Sequence, residues 1–301
     1  MESNTAMITG PIALLASSWT IFKTNWKILA PIAITPTVML LAGQFIGMAG
    51  GLALFLGFLV SIAGIVFAIA MAPALIDALT KIDNGSGASL RYWSQYKAGF
   101  KFFWIVLGLG ILQGLIILGS AVLFIIPAIV VGGFVGMYLF ARILDGHKGF
   151  SAMTESYSLV KGRWWKVFGR ILCFVLVYVI AAIIVGLVDL LFAAIFGNRS
   201  VISVVLALLL QVILTGAMGP IAITYTYKLY VSLKSTRMSG VHTGTFKKWL
   251  IAFLVIGIIA VILIPLTGIW AVFQGFQIGH QSVSGLDSAT YNPSLYDSTN
   301  R

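Results

Sequence analysis

Seven long apolar runs divide the chain, at about residues 28–48, 52–76, 103–122, 126–144, 167–190, 201–226 and 249–272. Each approaches or exceeds the roughly 20 apolar residues that a helix needs to cross the hydrocarbon of a bilayer. The runs are continuous and lack the alternating segments of about ten residues that build a membrane barrel. The pattern therefore predicts an all-α, polytopic transmembrane helical bundle. Three of the breaks between runs are very short: Gly47–Gly51, Gly119–Ile125 and Gly197–Ser200. Each reads as the turn of a helical hairpin.

A second periodicity lies ahead of the first, third and fifth runs. Ile12, Leu15, Trp19, Phe22 and Trp26 follow the spacing of one helix face, and Phe150, Met153, Tyr157, Val160 and Trp164 repeat it position for position. Leu90, Trp93, Phe100 and Trp104 fit the same template, with Lys97 interrupting it. Each segment ends in an aromatic and basic cluster. Such a segment is predicted to lie along the membrane surface, apolar face among the acyl chains and Trp at headgroup depth. The predicted architecture is three repeats of one interfacial helix plus a two-span hairpin, with a seventh span appended. Residues 1–234 form the six-span core, 235–248 a cytoplasmic connector, 249–275 the seventh span and 276–301 a disordered outer tail. Within the bundle, Gly110/Gly114 and Gly132/Gly136 have the spacing of close helix contacts. Pro36, Gly219-Pro220 and Pro265 are expected to kink their spans.

Composition agrees with this picture. Only 9% of the 301 residues are charged and 60% are hydrophobic, against roughly 25% charged in a soluble domain. The formal charge of +11 marks topology and lipid headgroups rather than nucleic acid, because the basic residues flank apolar spans. Seventeen of the nineteen lysines and arginines fall on one side of the predicted spans, with Arg199 and Arg301 as the exceptions. The positive-inside rule then places the N-terminus in the cytoplasm and the C-terminus outside. Residues 1–27 lack the apolar core and small-residue cleavage site of a signal peptide. Cys173 is the single cysteine, so no disulfide within the chain and no Cys-based metal site is expected.

Candidate chemistry is sparse. No HExxH, Gly-x-Ser-x-Gly or phosphate-binding glycine loop occurs, and no catalytic, cofactor or metal site is expected. Asp145 and His147 lie close together, and the Asp-Gly that follows the fourth run reads as a helix end. Asp77 and Asp189 sit near the ends of spans, and no carboxylate lies mid-span. Two sets of residues remain. Lys161, Arg163, Trp164, Trp165, Lys166 and Arg170 form a basic, Trp-rich knot suited to anionic headgroups. Gln113 and Gln211, with Pro220, are mid-span positions that would line a pathway between repeats.

Several stretches resemble a prokaryotic family, the membrane proteins grouped with the membrane domain of glycerophosphoryl diester phosphodiesterases. They are Leu123–Ile129 with Pro127, Leu144-Asp145 with Gly149, Ser156, Leu159–Arg163, Trp165–Gly169, and Pro220 with Tyr225 and Tyr230. The likeness spans about residues 10–234, and Ala128 stands where the family favours glycine. The resemblance implies a six-span helical core. It carries no activity, because nothing here corresponds to the soluble catalytic domain. The expected function is non-enzymatic: organising or binding inner-leaflet lipid and membrane-protein partners in a prokaryotic inner membrane. The alternative is a transporter or lipid-translocating protein.

Overall fold

The computed structural model describes residues 8–197, 200–237 and 241–290. The regular structure is helical throughout: α1 (Pro11–Gly47), α2 (Leu52–Asp83), α3 (Tyr92–Lys101), α4 (Phe103–Leu123), α5 (Ile125–Val135), α6 (Tyr138–Asp145), α7 (Phe150–Val160), α8 (Trp164–Phe196), α9 (Val201–Ser235) and α10 (Gly244–Thr290). Seven segments are long and apolar enough to cross a membrane; they are α1, α2, α4, α5 with α6, α8, α9 and the first part of α10. The chain is a multi-pass membrane protein.

The threefold layout is present as a short helix, a break and a long span. In α1 the break is a kink at Asn25, whose backbone leaves the helical region and whose Nδ2 donates to Ile21 O at 3.0 Å. Between α3 and α4 it is the single residue Phe102. Between α7 and α8 it is Lys161–Arg163, where Gly162 adopts φ +77°, a conformation that suits glycine alone. The span formed by α5 and α6 is itself interrupted at Gly136-Met137. Ser156 of α7 repairs this interruption, accepting from Met137 N at 3.1 Å and donating to Phe134 O at 2.6 Å. Both main-chain groups would otherwise lack a partner in an apolar setting.

Burial is concentrated at the Lys/Arg-rich end of the bundle. Leu29 and Ile32 of α1 pack with Ala70, Ala74, Leu75 and Ala78 of α2 around Tyr96 of α3. The Tyr96 hydroxyl donates to Ile32 O at 2.6 Å. A second cluster joins α4 to α7 with Tyr225, Leu229 and Tyr230 of α9 and Phe246, Leu250 and Phe253 of α10. Towards the opposite end much less side-chain surface is buried. Only Val167 is buried along α8, and Leu172, Leu176, Ile183, Leu187 and Leu191 are exposed. In a bilayer these faces meet acyl chains.

Three expectations change, and one open point is settled. The glycines that mediate close approach are not Gly110, Gly114 or Gly132, which face open space. Gly43 and Gly57 bring α1 against α2, and Gly119 and Gly257 bring α4 against α10. Spacing along one helix cannot reveal which partner helix arrives. The seventh span, left as an appended helix by the sequence, is anchored by Phe246, Leu250 and Phe253 in the main core. Helix α10 begins at Gly244, inside the expected connector, and continues to Thr290, past the point where an irregular tail was expected. Residues 238–240 of that connector and 291–301 of that tail lie outside the described residues. Pro220 is accommodated within one continuous helix, α9, and the only non-helical residue inside α1 is Asn25 rather than Pro36.

A side chain at Gly257 would place its Cβ 2.0 Å from Leu115 O. Gly257→Val should therefore destabilise the protein by about 1–3 kcal/mol or more, read as a lower thermal midpoint in detergent. Gly114→Ala, with nothing within 4 Å, should hold the midpoint or raise it slightly, because alanine is the better helix former.

Candidate functional site: a polar node at the basic end

The last turns of α9 carry the cations that tie the bundle together. Helical spacing puts Tyr230 and Lys234 on one face, and both reach Asp145 at the end of α6: the hydroxyl donates to Oδ2 and the ammonium to Oδ1. Lys228 leaves α9 on another face and holds both oxygens of Asp83, at 2.7 and 2.9 Å, at the end of α2. Arg237, just past the helix, holds Glu155 Oε2 of α7 at 3.0 Å. Three of the four ion pairs among the described residues thus join one end of α9 to three different elements; the fourth, Asp77–Lys81, lies within α2.

Glu155 is only 8% exposed, and Ser158 Oγ also reaches it, at 3.4 Å. A buried carboxylate needs such compensation. Asp145 closes α6, and Gly146 follows in the left-handed region (φ +76°), as the Asp-Gly pair predicts. Arg142 braces this turn by donating to Gly146 O and His147 O at 3.0 and 3.3 Å. His147 Nδ1 pairs with Ser151 Oγ at 3.1 Å.

Asp145, His147 and Glu155 offer ligand atoms within 4.8 Å of one another, a donor set that suits a divalent cation. The charge balance argues against that use. Both carboxylates already face Lys234 or Arg237, and an ion would have to displace these cations. The arrangement is a self-neutralised node.

The basic knot expected at headgroups divides into two groups. Arg163 turns inward: it donates to Thr236 O and Oγ1 at 2.8 and 2.6 Å, to Leu159 O at 2.8 Å and to Leu233 O at 3.4 Å. Burial lowers the pKa of its guanidinium from the usual arginine value. Arg170 binds the N-terminal segment through Ile8 O and Thr9 O at 2.9 and 2.8 Å, and Tyr225 donates to Arg170 O at 2.8 Å. Trp164 stacks on Phe168 and points its indole N–H at Val130 O, 3.3 Å away. These three side chains are engaged within the protein and remain partly exposed. Lys161, Trp165 and Lys166 remain exposed.

The stripe of the third repeat also lies elsewhere than expected. Met153 and Val160 are fully buried against neighbouring helices, whereas Ile12, Trp19 and Trp26 of the first repeat are exposed. Periodicity identifies an apolar face and is silent on whether lipid or protein covers it.

The suggested pathway residues are not brought together. Gln113 is half-buried on α4, Gln211 is exposed on α9, and Pro220 is buried on α9. Helix α4 packs mainly on α10 and α5, and α9 on α1 and α8. Glu155, Lys234 and Arg237 were not singled out from the sequence. The only signal was their location, acids and bases at the ends of helices on one side of the membrane.

No protein-family model, curated protein or solved structure matches the chain.

Two measurements check this assignment. Arg163→Gln should cost about 1–3 kcal/mol of stability, while Lys161→Gln and Lys166→Gln stay within roughly 0.5 kcal/mol of the parent. Millimolar Mn²⁺ or Zn²⁺ should leave the thermal midpoint unchanged; a rise that Asp145→Asn abolishes would show the node to be a metal site.

Proposed function

We propose that this is a non-catalytic membrane-organising protein of a prokaryotic inner membrane. Its basic, cytoplasmic end gathers anionic inner-leaflet lipid and presents it to neighbouring membrane proteins. One observation carries the reading. Each helix that rises from the basic end to begin an odd-numbered span starts with an exposed Trp beside an exposed Lys. The pairs are Trp26-Lys27, Lys101 with Trp104, Trp165-Lys166, and Lys248-Trp249. The four indoles are 53, 78, 77 and 57% exposed, although nothing in water would favour leaving so much aromatic surface uncovered. At a bilayer surface the same arrangement is favourable, with indoles at headgroup level and ammonium groups against phosphate. Among the described residues none of these lysines forms an ion pair.

In this reading the N-terminus is cytoplasmic and the short turns at the opposite end face outward, in keeping with the one-sided distribution of basic residues. The likeness to the phosphodiesterase-associated membrane domain is carried forward as a relationship of architecture only. Transport between repeats has weaker support, because Gln113 and Gln211 lie on helices that do not pack together as a pair.

The test uses the full chain reconstituted in phosphatidylcholine vesicles containing spin-labelled phosphatidylglycerol. The protein should immobilise the anionic lipid in preference to spin-labelled phosphatidylcholine, and high salt should weaken the preference. Changing Lys27, Lys101, Lys166 and Lys248 together to Gln should bring the preference close to one, since each lysine near an anionic surface contributes about 1 kcal/mol. An undiminished preference in the fourfold variant would remove the lysines from the account.

A further inference from the structure

The belt of Trp and Lys is not uniform. At one place two of its members are locked side by side. Tyr157 of α7 and Phe246 in the first turns of α10 stack face to face, with ring centroids 3.8 Å apart and planes 9° from parallel. Phe134 of α5 closes the same junction edgewise, 4.9 Å from Tyr157 and 5.7 Å from Phe246. Lys161 lies over the Tyr157 ring, its Nζ 5.4 Å from the centroid. Lys247 and Lys248 follow Phe246 directly, and both are exposed. Lys166 and Trp165 extend the first side along α8, and Trp249 extends the second along α10.

The stack therefore joins the segment that carries Lys161 and leads on to Lys166 to the helix start that carries Lys247 and Lys248, and an exposed indole, Trp165 or Trp249, belongs to each segment. The acids on α6 and α7 are already paired elsewhere. Asp145 is committed to Lys234 and Tyr230, and Glu155 to Arg237. The other belt positions, at Lys27 and Lys101, have no second helix start locked against them in this way.

We propose that this seam is a binding site for a lipid whose headgroup carries two phosphates, of the diphosphatidylglycerol type, with one phosphate met by each lysine pair. A cluster of basic side chains where membrane helices meet on the positively charged side is the kind of setting that retains such a headgroup. The two pairs supply four cations to a ligand with two negative charges. The flanking indoles mark headgroup depth for the acyl chains below. A single-phosphate lipid engages one arm at a time and loses the gain that comes from linking the two. The inference rests on the reading that the basic end meets an anionic leaflet, and it adds the identity of a preferred lipid.

The experiment is native mass spectrometry of the full chain in neutral detergent. It is titrated separately with diphosphatidylglycerol, with phosphatidylglycerol at equal phosphate, and with phosphatidylcholine. The first diphosphatidylglycerol should bind about tenfold more tightly than phosphatidylglycerol. Lys161→Gln with Lys247→Gln and Lys248→Gln should reduce that ratio to near one. Lys23→Gln with Arg91→Gln and Lys97→Gln, an equal loss of exposed charge outside the belt, should leave the ratio intact. The thermal midpoint of each variant verifies folding. Should the seam variant unfold, Lys247→Gln with Lys248→Gln alone removes one arm and should give the same collapse of the ratio. Equal binding of the two anionic lipids by the parent, both above phosphatidylcholine, would overturn the site and leave the general belt standing. Binding of neither above phosphatidylcholine would overturn both. A ratio that falls equally in the seam and control variants would reduce the preference to net charge and also overturn the site.

Discussion

The end of α9 holds this bundle together. Inside a bilayer, apolar side chains gain little by leaving lipid for protein, so helices stay together through close contact and polar ties. Close contact is provided at Gly43/Gly57 and Gly119/Gly257. The polar ties converge on Lys228, Tyr230, Lys234 and Arg237, which reach Asp83, Asp145 and Glu155 on three separate elements. Arg163 adds the start of α8 through Thr236 and Leu233. The packed core lies at the same end, and the far half of α8 is uncovered.

This arrangement separates the basic residues into two populations. One is used internally: Lys81, Arg142, Arg163, Arg170, Lys228, Lys234 and Arg237 bind main-chain carbonyls or carboxylates. The other stands beside exposed Trp and makes no ion pair among the described residues. The internal set is rich in arginine, which suits a planar, multi-donor cation holding several acceptors at once. The exposed belt is formed by lysines, which are compact point charges on flexible stems. A net charge of +11 thus carries two different meanings, and only the second bears on lipid.

Much of the fold was legible in the sequence. Hydropathy located the seven spans because their apolar runs are long, and each repeated stripe ends within two residues of a break, at Asn25, Phe102 and Gly162, although it runs through that break as one face. What covers each face was not legible. The same spacing is exposed at Trp19 and buried at Met153, since lipid and protein interior select the same side chains. The glycine contacts were misplaced for a related reason: Gly114 and Gly119 differ only in whether α10 lies across them. Of the candidate site, the Asp145 helix end was visible from its Asp-Gly pair. Its partners lie 85 and more residues away on α9, at a distance that local pattern cannot bridge. Arg163 and Arg170 read from the sequence as basic residues at a span start, and only tertiary structure reveals the carbonyls they hold.

The most direct test of the keystone role of α9 is a double-mutant cycle on Asp145 and Lys234. Unfolding of the full chain would be measured for Asp145→Asn, Lys234→Met and the pair together. Each single change should destabilise, and the two should couple by about 1 kcal/mol or more, because the first loss already breaks the tie between α6 and α9. Strictly additive effects, or no loss from either change, would contradict the account.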